Sequence, residues 1–332
     1  MQTSAKIAMI VGANGQDGKL LQKSLLAKGF TVVGLTRQEV HLHVDTHSSC
    51  IGSFDLSNRD QVSDLIAEHS PTEIYYLAAH HGSSEAVDSQ IDPQDYELHH
   101  RVHVSGLMNF LAAMANHSKN SRLFYASSSL IFDGSNGPKQ SEQTPYTPLG
   151  YYGLTKVQGM YLCKEFRSQH GIFAASGILY NHESVLRPKG FLSKKIVAAA
   201  YDIHRGNQSQ LVLGNLDART DWGYAPDYVE AFQKILRTGQ ADDFVIASGE
   251  SHTVKEFADL AFQYFDLDAA EYIREDKSLL KRRTHQKIGD FTHLKTATGW
   301  QPSLDFRNMV QQLVRDYVAL AEAGSEKRAT RN

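Results

Sequence analysis

Tyr152 and Lys156 stand four residues apart, a phenol and an ammonium that share one face if their segment is helical. An ammonium beside a phenol favours the phenolate, which can take or give a proton near neutral pH. Upstream, Ser127-Ser128-Ser129 closes a strand-like run, Arg122–Ser127. A hydroxyl there can hold a substrate oxygen while the tyrosine moves its proton. Such a trio oxidises a carbinol or reduces a carbonyl when a hydride acceptor lies beside it.

The acceptor's cradle is legible near the start of the chain. Gly12-Ala13-Asn14-Gly15-Gln16-Asp17-Gly18 follows an apolar run, Lys6–Val11, and precedes a segment with helical spacing through Leu20, Leu21, Leu25 and Leu26. Glycines in such a turn let the backbone approach a pyrophosphate, and the helix N-terminus behind it offers free N–H groups. Dinucleotide binding is therefore expected at Gly12, Gly15, Gln16, Asp17 and Gly18. The next β-branched run ends Gly34-Leu35-Thr36-Arg37, with no carboxylate before Glu39. An acidic residue there would hold a ribose 2′-hydroxyl, whereas Arg37 attracts a 2′-phosphate, so NADP is expected over NAD. Asp55 and Leu56 are placed on the adenine side, and Leu77, Ala78 and Ala79 under the pyrophosphate.

Positioning these groups requires strands and helices in alternation. The pattern predicts strands at Lys6–Val11, Thr31–Leu35, Ile51–Phe54, Glu73–Ala78, Arg122–Ser127 and Phe173–Leu179. Helices are predicted at Gly15–Lys28, Arg59–His69 and Leu107–Ala115. This is an α/β, Rossmann-type doubly wound parallel sheet. The rhythm changes after Leu179. Asn181–Lys195 and Gly206–Asp227 are polar, basic and Gly-containing, and helices follow at Asp227–Arg237, Val254–Phe265 and Phe306–Glu322. We read residues 1–180 as the nucleotide domain, with strand returns from about 210–250, residues 181–324 as a smaller mixed substrate lobe, and 325–332 as a fraying tail.

The chain has 332 residues, 41 % hydrophobic and 21 % charged, with a formal net charge of −3. That balance supplies no field for nucleic acid or an anionic membrane. No apolar run approaches the roughly 20 residues that span a bilayer. The N-terminal residues lack a signal-peptide layout. Two distant cysteines, Cys50 and Cys163, suit a reducing cytoplasm. His41, His43 and His47 lack a second ligand cluster, so no metal is expected.

The glycine-rich loop, the serine-ended strand and the Tyr-x-x-x-Lys pair, in this order and at these distances, resemble the extended short-chain dehydrogenase/reductases. Within them the chain is most similar to the GDP-mannose 4,6-dehydratases. The closer likeness is carried by Gly15-Gln16-Asp17-Gly18, Asn181-His182-Glu183-Ser184, Gly214-Asn215-Leu216-Asp217-Ala218 with Asp221-Trp222-Gly223, Asp227-Tyr228-Val229-Glu230-Ala231, and Asp243 to Glu250. The resemblance implies that Tyr152 removes the sugar C4 hydroxyl proton as hydride leaves C4. It implies that Lys156 holds the nicotinamide ribose and that Ser128 bonds the C4 oxygen. Substrate contacts are implied for Ser129, Asn181, Arg187, Lys189, Lys194, Asn215, Arg219 and Arg282, around a GDP-linked sugar. It further implies a homodimer, or a dimer of dimers, paired through helices near Leu107–His117 and Tyr152–Gln169.

One departure bears on the reaction. The family places a glutamate two residues after the serine or threonine, where it moves the C5 proton and helps water leave C6. Here that residue is Leu130, which carries no proton. His80, His81, Glu85 and Asp133 are the nearby candidates to replace it. The family's arginine before Asp-Trp-Gly is Thr220, with Arg219 beside it, and its late arginine-proline segment becomes Lys281-Arg282-Arg283-Thr284. Three readings stay open: a dehydratase with a displaced acid/base, a 4-epimerase or 4-keto-sugar reductase that needs no such group, and a non-catalytic NADP-binding module.

Overall fold

The computed structural model describes residues 6–38, 47–80, 92–279 and 286–329, the side chains of 324–329 aside. Its centre is a parallel sheet of β1 (Ile7–Val11), β2 (Thr31–Leu35), β3 (Ser48–Ile51), β4 (Glu73–Tyr76), β5 (Arg122–Ala126), β6 (Phe173–Leu179) and a late strand, Asp243–Ile246. In space the order is Asp243–Ile246, then β6, β5, β4, β1, β2 and β3. The order reverses between β1 and β4, which opens a crevice beyond their carboxyl ends, where ligands of such sheets bind.

Strand period two sorts the core onto the two sheet faces. Met9 and Val11 pack with α2 (Arg59–His69) and with the helices Gly106–His117 and Gly150–His170 through Val62, Phe110, Leu111 and Met160. Ala8 and Ile10 pack on the other face with α1 (Gln16–Ala27) and the helix Ala225–Ile235, through Leu21, Leu25, Tyr228 and Phe232. A third apolar cluster, with Ile196, Trp222, Phe257 and Leu313, lies outside the sheet and joins the helices Leu192–His204, Val254–Gln263 and Phe306–Ala329. Among the described residues, no helix is long and apolar enough to cross a membrane.

Several elements depart from the sequence pattern. The third strand lies upstream of Ile51–Phe54, because Val32 to Leu35 pair with Ser48 to Ile51. The apolar residues of Leu192–His204 form a helix inside a stretch whose flanking lysines read as a loop. Helix α3 (Pro93–His100) begins at Asp92, whose carboxylate accepts from Gln94 N at 2.8 Å. It runs without a break into a π-turn, Arg101–Ser105, and then α4 (Gly106–His117). A π-turn inserts one residue and re-aims the side chains around it. The expected fraying tail from Ser325 is helical as far as Ala329.

The helix α5 (Gly150–His170) starts against the loop after β5. Gly153 lies under the Leu130 carbonyl, and a Cβ there would collide with that oxygen. The same carbonyl accepts from Leu149 N at 2.9 Å. Gly153→Ala should therefore push the helix start off the loop and cost about 1–3 kcal/mol, visible as a fall of several degrees in Tm. An unchanged Tm would contradict this packing.

Candidate active site

The glycine loop closes at the sheet's switch point. Gly12 has φ +98° and sits where any Cβ would come within 2.9 Å of Ala78 N. Gly18 abuts Ala13 in the same way, bringing α1 onto the strand. Gly15 precedes α1 and gives it no side-chain cap, so that helix's first N–H groups point into the crevice. These features fit a dinucleotide pyrophosphate. Leu77 continues β4 by donating to Val11 O at 2.9 Å, and Ala79 is exposed beyond it. Arg37 is exposed at the end of β2, and among the described residues it has no ion pair. Asp55 is exposed. Its carboxylate accepts from Ser57 Oγ at 2.7 Å and Ser57 N at 2.9 Å in the turn before α2, which lowers its pKa. Leu56 packs toward Gly106.

Gln16 and Asp17 turn their side chains toward the segment after β6. Gln16 donates to His182 O at 3.1 Å and accepts from Ser184 Oγ at 2.8 Å. Asp17 meets His182 Nε2 at 3.0 Å. Burial pushes the Asp17 carboxyl up, but the charge and hydrogen bond of His182, aided by Gln16 and Arg187, outweigh it and hold the pKa below its usual value. These two residues clamp the strand Asn181–Glu183 to the start of α1. His182, whose ring stacks on Tyr228 at 4.4 Å, was not singled out by the sequence.

The carbonyl chemistry gathers at the start of α5. Ser128 caps the 3₁₀ turn Ser129–Ile131 by accepting from Leu130 N at 3.2 Å, and its hydroxyl also bonds Tyr152. Lys156 is 1 % exposed and donates to Ala126 O at 2.7 Å. The expected phenolate is corrected here. The Lys156 ammonium lies 5.5 Å from the centre of the Tyr152 ring and points at the backbone. Burial pushes the Tyr152 phenol up to about 12, against the opposing pull of Arg187 and Ser128. Burial also brings Lys156 down to about 7. The free protein therefore holds a neutral phenol.

Other candidates separate. Arg187 reaches the site: its Nε meets Glu183 at 3.2 Å and its charge favours Tyr152 ionisation. Asn181 and Lys189 are exposed in the same lobe. Lys194 is 8 % exposed, donates to Val185 O at 2.8 Å and lies 4.4 Å over the Tyr317 ring, so its ammonium is engaged within the lobe. Asn215 caps a turn through Asp217 N, and Arg219 donates to Ser251 O at 2.7 Å. Ser129 is 7 % exposed and faces inward. Asp133 is not an available proton carrier. Ser135 and Thr147 donate to one of its oxygens and draw its pKa down to about 2, so it stays an anion that ties a loop. Glu39, His41, His43, His81, Glu85, Arg282 and Arg283 lie outside the described residues.

The structure also assembles imidazoles that the sequence left scattered. The π-turn presents His103 to the side of Tyr152, ring centres 5.2 Å apart. His103 Nε2 accepts from His80 N at 3.2 Å, so a neutral ring carries its proton on Nδ1, 2.8 Å from Thr155 Oγ1. Thr155 in turn donates to Tyr151 O at 2.8 Å. His99 sits 5.8 Å from Tyr152 and 4.7 Å from His80, and His80, Asp95 and His99 offer ligand-type atoms within 4.8 Å of one another. Asp95, His99 and His103 recur at four-residue spacing, but that stretch carried no helical apolar pattern to mark it.

The sequence matches the GDP-mannose 4,6 dehydratase family over residues 9–313. The chain belongs to this family. "GDP-mannose 4,6 dehydratase 2" of Arabidopsis thaliana is 36% identical over 335 residues, covering 96% of this chain and 88% of that protein. Among solved structures, a putative epimerase from Burkholderia cenocepacia J2315 superposes with a TM-score of 0.82 at 19% identity, covering 96% of this chain and 100% of that one. RMD from Pseudomonas aeruginosa, complexed with NADPH, gives 0.77 at 19% identity over 95% of this chain and 100% of that one. Both share the fold. As a member of the family, the protein is an enzyme of the nucleotide-sugar dehydratase/epimerase class. Its Leu130 is half-buried beside Ser128.

A direct check on the site concerns Tyr152 itself. Because its folded pKa lies near 12, an ultraviolet titration of wild type minus Tyr152→Phe without cofactor should show no phenolate between about pH 6 and pH 10. A step centred near neutrality would mean that Lys156 alone ionises the phenol.

Proposed function

We propose that the protein is an NADP-dependent 4,6-dehydratase of a GDP-linked hexose. The observation that carries this reading is the Ser128–Tyr152–Lys156 group at the mouth of a dinucleotide cradle, in a chain that matches the dehydratase family nearly end to end. When bound, the nicotinamide would supply the capacity to take a hydride from sugar C4 and return it at C6. The protein's own groups do the rest. Ser128 and Tyr152 hold the C4 oxygen, and Tyr152 takes its proton once ligand binding brings charge that favours the phenolate. Lys156, held on Ala126 O, is the residue that would bond a ribose hydroxyl of the cofactor. Arg187 and Lys189 supply cations toward a diphosphate, with Asn181 toward the sugar.

Arg37 supports NADP, since it ends β2 with no acidic residue up to Gln38. Pairing into a homodimer through α4 and α5 is supported by Met108, Leu154 and Tyr161, large apolar side chains left 41 %, 39 % and 58 % exposed on those helices. Leu130 favours a second reading, a 4-epimerase or 4-keto-sugar reductase, because neither reaction uses a proton carrier at that position.

Mass analysis of products from GDP-mannose and related nucleotide sugars separates the two. Loss of one water is expected. Unchanged mass with an altered sugar, or gain of two hydrogens on a keto-sugar with NADPH, would establish the second reading instead. Arg37→Glu should weaken NADPH binding by about 10- to 100-fold and leave NADH nearly unaffected, as measured by nicotinamide fluorescence. Equal losses for both would place the 2′-phosphate elsewhere.

A further inference from the structure

Two histidines and a carboxylate meet on the crevice wall beside Tyr152. Asp95 and His99 lie four residues apart on one face of α3, and His80 comes from the segment after β4. They are a different set from His41, His43 and His47, and only the fold brings them together. Asp95 stands between the two rings. Its Oδ1 is 3.4 Å from His80 Nε2, its Oδ2 is 3.6 Å from His99 Nε2, and the three ligand-type atoms fall within 4.8 Å of one another. The rings meet edge to face with centres 4.7 Å apart.

These distances suit a shared ion better than hydrogen bonds. A charged imidazole N–H closes on a carboxylate to about 2.7–2.9 Å, and both gaps are wider. Two ligand atoms bound to one zinc at a tetrahedral angle stand about 3.4 Å apart. Both nitrogen–oxygen edges are already near that length. The edge between the two imidazoles closes by rotation of His80, whose side chain is 28 % exposed. The surroundings orient the ligands. Burial disfavours a charged His99 ring, and its buried Nδ1 faces the His80 backbone, which favours a proton there. The neutral ring thus turns its Nε2 lone pair to Asp95, and a lone pair facing a carboxylate oxygen is repelled unless a cation stands between them. Metal-bound histidines are held in this way, through the nitrogen remote from the ion. His80 is braced as well, since its backbone N–H donates to His103 Nε2 at 3.2 Å and His103 Nδ1 meets Thr155 Oγ1 on α5 at 2.8 Å. Both nitrogens of His103 and of His182 already have partners.

We propose that His80, Asp95 and His99 bind one zinc ion on the crevice wall. Imidazole with carboxylate favours a first-row divalent ion over calcium or magnesium. Three protein ligands leave a fourth position for water. The ion ties the segment after β4 to α3, next to the His99 ring that stands edge-to-face on Tyr152 at 5.8 Å. The site stands whichever reaction the enzyme performs. The test takes the full chain, strips it with a chelator, and titrates zinc against a chromophoric chelator. Wild type should take up one ion per chain and gain in Tm, because an ion that binds only the folded state stabilises it. His80→Ala and Asp95→Asn, both at positions open to solvent, should fold and bind zinc at least about 100-fold more weakly, since loss of even an outer partner costs about 10- to 100-fold. Zinc-edge X-ray absorption of the wild-type complex should show imidazole scattering. No uptake by wild type would overturn the proposal and leave the three as side chains paired through Asp95. Equal uptake by wild type and both variants would overturn it too, by placing the zinc on other histidines of the chain.

Discussion

The ammonium of Lys156, buried to 1 % exposure and held on Ala126 O at 2.7 Å, fixes α5 to the end of the central strand β5. A charge taken from water to such a place costs free energy unless a partner compensates. The backbone carbonyl compensates only in part, since burial still brings Lys156 down to about 7, and the bond sets the height of α5 over the sheet. From that height follow the positions of Tyr152 one turn earlier, of Gly153 under the Leu130 carbonyl, and of the Ser128 hydroxyl against the phenol. The same burial that fixes the lysine disfavours the phenolate, so the free enzyme is arranged for proton transfer but not charged for it.

Around this point the family scaffold and the chain's own departures divide the work. The glycine loop, the helix N-terminus and the Gly12–Ala78 contact build the dinucleotide side from backbone alone. The opposite side is built from imidazoles. His103 ties the π-turn to Thr155 on α5, and His99 faces Tyr152 with Asp95 behind it.

The sheet strands and the cofactor turn were legible because each rests on local pattern. Lys6–Val11 with its following glycines, and Tyr152 with Lys156, keep their meaning in any register. The burial of Lys194 was not legible because charge reads as exposure: its ammonium donates to Val185 O. Helix Leu192–His204 was missed because Lys194 and Lys195 mask its apolar stripe. His99 and His103 were missed as a pair because no helix was read over Pro93–Ser105, where their four-residue spacing puts them on one face. His182 could have been found, since it lies within a stretch already marked by resemblance, but its bond to Asp17 is a contact across 165 positions.

The central claim is that Tyr152 works where hydride leaves and re-enters one sugar. GDP-mannose carrying deuterium at C4 tests it most directly. The account predicts a product that has lost water and carries the label at C6. Label kept at C4, or exchanged into solvent, would contradict it.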